Sequence, residues 1–175
     1  MTRYVALLRA VNVGRRRVEM ARARELLTDL GYDDVDSFVN SGNLVLSSDA
    51  AAATVEKQVR AALEDEYGFE ITTFVRNAKQ LRTLAGADPF GSIADGHTHF
   101  VLFPLTKFTP IERRAVLELA NGHDELEIRG QDVHWLIHAK STETTLGPQQ
   151  WQRALPDNPT TARNVTMLRR LVARL

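Results

Sequence analysis

Residues 35–47, VDSFVNSGNLVLS, form two short stretches rich in valine, leucine and phenylalanine on either side of Ser41 and Gly42. Small residues tolerate the backbone conformations of a tight turn. The pattern therefore predicts a β-hairpin with strands over residues 35–40 and 44–47. This hairpin is the centre of the predicted structure of the first half.

The segment before the hairpin predicts one strand and one helix. The apolar run over residues 3–11 predicts a strand, and the loop NVGRRR follows it. Apolar residues then recur every three or four positions over residues 20–30, which is typical of an amphipathic helix. Gly31 stands where a helix commonly ends.

The segment after the hairpin predicts a second helix and a fourth strand. We expect Ser48 or Asp49 to cap this helix and Gly68 to end it. Apolar and polar residues alternate over residues 69–76, which predicts a strand. The order β-α-β-β-α-β within 76 residues is that of the ferredoxin-like fold, in which helices cover one face of an antiparallel sheet.

The second half of the chain repeats this order in part. A strand over residues 97–103 precedes a helix that begins at the capping box TPIE, residues 109–112. A hairpin over residues 124–138 turns at Gly130. We expect a last helix from about Ala162 and no final strand.

The predicted fold class is α+β, with two tandem ferredoxin-like subdomains that each place helices on one face of an antiparallel sheet. Because its final strand is not expected, the second copy is predicted to be degenerate. The expected bounds are 1–76 for the first subdomain, 77–97 for a short helix and a linker dense in residues that interrupt helices and strands, and 98–175 for the second subdomain.

The composition excludes several classes of site. The 175 residues include no cysteine, which excludes disulfides and thiolate ligands and favours a reducing, cytoplasmic location. Arg9 interrupts the apolar N-terminal run, which is too short to cross a bilayer, so we expect no membrane partner. The P-loop, dinucleotide and HExxH motifs do not occur in the sequence, and we expect no cofactor.

The formal net charge of zero hides a segregation of charge along the chain. Residues 1–24 contain seven arginines and one carboxylate, and residues 153–175 contain five arginines and one carboxylate. Basic ends of this kind are compatible with an anionic partner such as nucleic acid. Arginine also outnumbers lysine eighteen to four in the whole chain, so a coding bias toward arginine is the alternative explanation.

In a ferredoxin-like unit, the loop after the first strand and the central hairpin lie at the same edge of the sheet. We call this edge the rim, and it is predicted to collect Asn12, Gly14, Arg15, Arg16, Arg17, Asn40, Ser41, Gly42 and Asn43. Arginine side chains and backbone N–H groups beside a helix N-terminus suit a phosphate, a carboxylate or a nucleic-acid backbone. The alternative is that the glycines only form turns and the arginines only face solvent.

Arg9 lies within the predicted first strand, on the same face as Val5 and Leu7. A charged side chain on an apolar face needs a partner. Two roles remain open for Arg9: a structural ion pair with Glu70 or Asp36, or ligand binding at the rim.

Several of these residues together resemble the family called domain of unknown function 1697. The resemblance rests on LLRAVNVG at 7–14, LGYDDV at 30–35, Ser41-Gly42-Asn43 and the late Arg163-Asn164. Relative to the family pattern, Arg15 replaces a second glycine and Val165 replaces a tryptophan. The resemblance implies an α+β fold of ferredoxin-like subdomains in an uncharacterised bacterial protein, and it implies no substrate.

Arg163 and Asn164 are expected in the first turn of the final helix, just after two threonines that can cap it. An arginine at the positive end of a helix would suit an anion, or a carboxylate from the first half of the chain. Both residues are therefore included among the expected ligand-binding residues.

Two further patterns predict little. His97 with His99, and His134 with His138, lie on common faces of two strands that the fold would place side by side. Imidazoles without a carboxylate or thiolate form an unusual closed metal site, so we predict no metal. Ser41 lies on a sharp turn without a predicted histidine neighbour, and we do not expect a nucleophile there.

Three hypotheses of function follow. The first is a binding module that holds a phosphate-bearing or nucleic-acid ligand at the rim. The second is a small-molecule enzyme of unassigned class with a cleft between the subdomains, and the third is a structural or assembly protein. The sequence predicts no particular oligomeric state.

Overall fold

The computed structural model describes residues 1–9, 11–39 and 42–175. In these ranges the chain has an α+β fold with two antiparallel sheets of four strands each and six α-helices. The chain divides into two compact units. The first unit comprises Met1–Arg82 and Leu171–Leu175, and the second comprises Thr83–Arg170.

The elements of the first half, in chain order, are β1 (Thr2–Leu8), α1 (Met20–Asp29), β2 (Asp33–Ser37), β3 (Asn43–Ser48), α2 (Ala52–Tyr67), β4 (Thr73–Asn77) and α3 (Ala78–Gly86). The strands form an antiparallel sheet of order β2-β3-β1-β4. Strand β1 therefore lies in the interior of the sheet, and the hairpin pairs its second strand with β1. The hairpin and both flanking helices predicted from the sequence are confirmed.

The core of the first unit lies between this sheet and helices α1 and α2. Alternate residues of β1, such as Tyr4, Ala6 and Leu8, belong to one buried cluster with Leu27 of α1 and Val59 of α2. Each large apolar side chain buried in this way stabilises the fold by about 1.5 to 3 kcal/mol. The apolar spacing along α1 and α2 thus seats both helices on the sheet.

The predicted N-cap of α2 is wrong. The N-cap residue is Ala51, and no side chain accepts a hydrogen bond there. The Ser48 hydroxyl instead accepts a hydrogen bond from the Ala50 N–H at 3.1 Å. Asp49 lies 2.9 Å from the N-terminal ammonium of Met1. Both side chains have these other partners, and the helix begins at Ala52, later than the sequence predicts.

The elements of the second half are β5 (Thr98–Pro104), α4 (Pro110–Glu118), β6 (Asp124–Arg129), β7 (Asp132–Ile137), a 3₁₀ turn (Ser141–Glu143), α5 (Pro148–Ala154), β8 (Thr160–Asn164) and α6 (Val165–Val172). The sheet has the order β6-β7-β5-β8. Its core contains Leu102, Val116, Trp135 and Trp151. The capping box of α4 is confirmed, because Thr109 and Glu112 exchange side-chain and backbone hydrogen bonds.

The prediction that the second half lacks a final strand is wrong. Residues Thr160–Asn164 form β8, which pairs antiparallel with β5 and places Arg163 opposite Val101. The last helix begins at Val165 and not near Ala162. A five-residue strand of mostly polar residues shows too little periodicity to be recognised, and its extended conformation is stabilised by pairing with β5. The second half therefore does contain a final strand.

None of the helices in the described ranges is both long enough and apolar enough to cross a membrane.

Candidate functional site

Arg9 follows the last residue of β1 and is exposed to solvent. Its backbone N–H donates to the Thr72 carbonyl at 3.0 Å. The expectation that Arg9 lies inside the strand with Val5 and Leu7 is wrong, because β1 ends at Leu8. An exposed guanidinium needs no buried partner, and no ion pair joins it to Glu70 or to any other residue that the structure describes.

The loop between β1 and α1 owes its shape to two residues in the left-handed region. Asn12 and Gly14 both have φ of +60°. The Oδ1 atom of Asn12 accepts a hydrogen bond from the Val18 N–H at 3.1 Å, which closes the loop just before α1. Asn is one of the few residues that adopts this conformation readily. Asn12 therefore holds the loop that carries the arginines.

Arg15, Arg16 and Arg17 follow this turn and are all exposed. The guanidinium of Arg16 lies 5.6 Å from the centre of the Phe69 ring, a cation–π contact that occupies it. Arg17 lines a cavity next to α1. Of the three arginines, Arg15 and Arg17 make no such ring contact within the described ranges.

The hairpin side of the predicted rim lies only in part within the described residues. Asn40 and Ser41 lie outside them. Gly42 has φ of +78°, and its carbonyl accepts a hydrogen bond from the Leu8 N–H at 2.7 Å. A Cβ atom on Gly42 would lie 2.7 Å from Val11 Cγ2 and 2.9 Å from Leu8 Cβ. Gly42 therefore lets the hairpin approach the end of β1.

Asn43 is completely buried at the start of β3. Its Nδ2 donates to the Phe38 carbonyl at 2.9 Å, and its own carbonyl accepts from the Phe38 N–H at 2.9 Å. These bonds hold the two sides of the hairpin together. The geometry gives Asn43 a structural task at the base of the rim.

A cavity of about 600 Å³ opens beside the N-terminus of α1, and we call it the α1 cavity. Its lining includes Asn12, Arg17, Glu19, Arg24 and Ser37. The Arg24 guanidinium donates to the Ser37 hydroxyl at 2.7 Å, which holds the arginine in place. No side chain caps α1, and its first turn contains no acidic residue. Its first N–H groups have no partner within the helix and carry a partial positive charge.

Arg163 and Asn164 lie in β8 and not in the first turn of a helix, so the predicted placement is wrong. Arg163 is 8% exposed, and its guanidinium donates to the Thr161 hydroxyl at 2.8 Å and to the Ala162 carbonyl at 2.9 Å. Burial lowers the pKa of Arg163 to about 10, which still leaves it protonated at neutral pH.

A matching arginine and asparagine occur at the end of β4, and the sequence analysis did not single them out. Arg76 is 3% exposed and donates to the carbonyl of the residue before it, as Arg163 does. Asn77 caps α3, with its Oδ1 accepting from the Gln80 N–H at 2.8 Å. The signal was the Arg-Asn pair repeated at 76–77 and 163–164, each time at the end of a strand that leads into a helix.

Two of the histidines form a buried pair in the second unit. His99 Nε2 lies 3.0 Å from His134 Nδ1, on the neighbouring strands β5 and β7. His97 and His138 contact each other edge to face, and His138 bonds to Glu125. Within the described ranges, no group of three or more histidine, aspartate or glutamate residues is arranged to hold a metal ion.

Comparisons with known proteins agree with the fold and are silent on activity. The family model described as protein of unknown function (DUF1697) matches residues 1–134. The structure of the conserved bacterial protein SP0830 from Streptococcus pneumoniae superposes with a TM-score of 0.73 at 20% sequence identity. The match covers 98% of this chain and 97% of that one, and at this identity it concerns the fold alone. No curated protein matches the chain significantly.

Proposed function

The chain belongs to the DUF1697 family of proteins of unknown function, and from that premise we propose that it binds an anionic, phosphate-bearing ligand. The binding site is the α1 cavity together with the exposed arginines of the loop before it. The observation that carries the proposal is a cavity of about 600 Å³ with two arginines at the uncapped N-terminus of a ten-residue helix. A nucleotide or a nucleic-acid strand is the class of ligand that this charge suits.

The arginines supply the main attraction. Arg17 is exposed and Arg24 is half-buried, and both line the cavity. The bond from Arg24 to Ser37 reduces the conformational freedom that the guanidinium would lose on binding. An arginine presents several donors in a planar arrangement that matches two phosphate oxygens.

The N-terminus of α1 adds donors that do not depend on a charged side chain. The first backbone N–H groups of α1 lie beside the cavity, which Met20 and Ala21 line. Oxyanions bind favourably at such helix ends. Glu19 is the one acidic residue among the described residues that line the cavity, and it is exposed, so water screens its repulsion of an anion.

The arrangement of the two units bears on the location of this site at the edge of the sheet. We propose that both units are ferredoxin-like and arose by tandem duplication. The support is the same order of elements in both halves, the corresponding sheet orders β2-β3-β1-β4 and β6-β7-β5-β8, and the repeated Arg-Asn pair. Under this proposal the loop before α1 lies at the sheet edge that the hairpin also reaches.

The test is a titration of the full chain with labelled ATP, single-stranded RNA and single-stranded DNA at several salt concentrations. Binding is measured by the fluorescence anisotropy of the labelled ligands. The double variant Arg15→Ala/Arg17→Ala should weaken binding of the preferred ligand at least about tenfold. It should also reduce the slope of log Kd against log salt by about 1 to 2, because each phosphate contact releases about one counterion.

The matched control is Arg113→Ala/Arg114→Ala, which removes two exposed arginines from α4 of the second unit. It should change the affinity less than about twofold. If none of the three ligands binds in a salt-dependent manner, or if the control weakens binding as much as the loop variant, the proposed function is wrong. A preference for ATP over both nucleic acids would assign a nucleotide site, and the reverse preference a nucleic-acid site.

A further inference from the structure

A second cavity lies entirely within the second unit, between the start of β5 and the start of α6. It measures about 190 Å³, and its lining includes His97, His99, Asn164, Thr166 and Arg169. It shares no lining residue with the α1 cavity. We call it the β5-α6 cavity.

His99 is the most buried polar residue of this lining, with 7% of its surface exposed. Its Nε2 atom is engaged with His134 Nδ1 at 3.0 Å. The remaining ring nitrogen, Nδ1, is the polar atom that His99 has for a ligand in the cavity. The pKa of His99 is lowered to about 4, mainly by burial and also by His134 and Arg169, while Asp88 opposes them, so the ring is neutral at pH 7.

The position of the proton in the histidine pair follows from the environment of His134. His134 is completely buried, and its Nε2 has no hydrogen-bond partner among the described residues. A buried N–H without an acceptor is rarer and more costly than a buried lone pair without a donor. The proton of His134 therefore resides on Nδ1 and is donated to His99 Nε2. His99 then carries its own proton on Nδ1 and is a donor toward the cavity.

Two other side chains of the lining are fixed as donors. The Nε atom of Arg169 donates to the Ala85 carbonyl at 3.0 Å, which anchors the guanidinium and leaves its terminal NH₂ groups for a ligand. Asn164 Oδ1 accepts from the Thr166 N–H at 2.8 Å, so the amide NH₂ is the group that Asn164 offers the cavity. None of the described residues that line the cavity is acidic.

We propose that the β5-α6 cavity binds the phosphate group of a small molecule. The Arg169 guanidinium, the His99 Nδ1–H and the Asn164 amide are its donors. The cation Arg169 lies at the exposed mouth of the cavity, and the neutral donors lie deeper inside. This arrangement matches an anion that enters from solvent and is desolvated on one side. At about 190 Å³ the cavity has about a third of the volume of the α1 cavity and shares no lining residue with it, which separates this site from the proposed function.

The test is an NMR titration of the uniformly ¹⁵N-labelled full chain with inorganic phosphate and, separately, with acetate at pH 7.5. The ¹⁵N shifts of the free protein should show His99 protonated at Nδ1 and His134 protonated at Nδ1. Phosphate should shift the His99 Nδ1 signal in a saturable manner, and acetate should bind at least about tenfold more weakly.

Arg169→Gln should weaken phosphate binding at least about tenfold, and it alters an exposed side chain, so the fold should be retained. The control Arg113→Gln removes an exposed arginine of α4 and should change Kd less than about twofold. The proposal is overturned if phosphate leaves His99 unshifted, if acetate binds as tightly as phosphate, or if both variants have equal effects. Loss of the His99 response in Arg15→Ala/Arg17→Ala, with Arg169→Gln unaffected, would refute this site and leave the proposed function standing.

Discussion

Gly42 is the position where one atom decides whether the hairpin can pack against the end of β1. Its φ of +78° and the short distances from its would-be Cβ to Val11 and Leu8 both require glycine. The nearby Asn43 contributes in a different way, since its buried amide donates to the Phe38 carbonyl. At the rim, the backbone conformation of Gly42 lets the hairpin lie close to the end of β1, and the buried amide of Asn43 holds the two sides of the hairpin together.

We predict that Gly42→Ala destabilises the protein by about 2 to 4 kcal/mol, measured by urea denaturation. Left-handed strain costs about 1 kcal/mol, and the clash with Leu8 and Val11 adds about 1 to 3 kcal/mol. The control is Gly68→Ala, because Gly68 has a similar φ of +70° but nothing within 4 Å of its would-be Cβ. Equal losses in the two variants would contradict the packing argument.

Strand β6 is tied to the segment after β7 by one carboxylate. Asp124 is completely buried and accepts hydrogen bonds from Trp135 Nε1 at 2.8 Å and from the hydroxyls of Thr144 and Thr145 at 2.6 and 2.7 Å. The Thr145 N–H donates to it as well. Burial by itself would raise the pKa of Asp124, but these hydrogen bonds outweigh it and hold the pKa below its usual range.

Asp124→Ala should therefore destabilise the protein by about 3 kcal/mol at pH 7, because it leaves buried donors without an acceptor. The stabilisation by Asp124 is complete above the pKa of an unfolded aspartate, about 3.9. It is lost as the pH falls through the lower pKa of the folded state. Tryptophan fluorescence during urea denaturation measures the change. Asp157→Ala, at an exposed aspartate, should change stability by less than about 0.5 kcal/mol.

Over the whole molecule, the positive and negative charges balance at neutral pH. The dependence of stability on pH below neutrality is expected to come in part from buried histidines. The buried histidine pair belongs to the second unit, and burial lowers the pKa of both His99 and His134. An unfolded histidine takes up a proton near pH 6.5, whereas folded His99 does so only near pH 4. The unfolded chain therefore binds more protons than the folded chain in this interval.

We predict that the free energy of unfolding decreases as the pH is lowered from 6.5 to 4. The part due to His99 is at most about 3 kcal/mol, since one pKa unit corresponds to about 1.4 kcal/mol. Urea denaturation at a series of pH values measures the slope. In His99→Gln this slope should be smaller, whatever the absolute stability of the variant. A wild-type slope in His99→Gln would refute the assignment.

Local patterns explain why much of the fold was predictable. The helix stripe that includes Ala23 and Leu27, the hairpin around Gly42 and the capping box at Thr109 each involve residues close together in sequence. Their periodicity and turn chemistry express the same preferences in the folded protein. Of the predicted site residues, Gly14 lies in a turn, which the sequence analysis gave as one alternative, and Asn12 adopts the same left-handed φ.

Strand β8 and the two cavities were beyond prediction because they depend on partners distant in the chain. Residues 160–164 are extended because they pair with β5. Arg9 is exposed because β1 ends at Leu8, the residue before it. Likewise, His99 meets His134 across 35 positions of sequence, and Arg169 reaches the Ala85 carbonyl across 84. Periodicity and composition report which face of an element is apolar, so the α+β class and the order of elements in the first half follow from the residues alone. Which polar groups meet in one cavity is decided by the packing of elements, because only folding brings their donors within hydrogen-bonding distance.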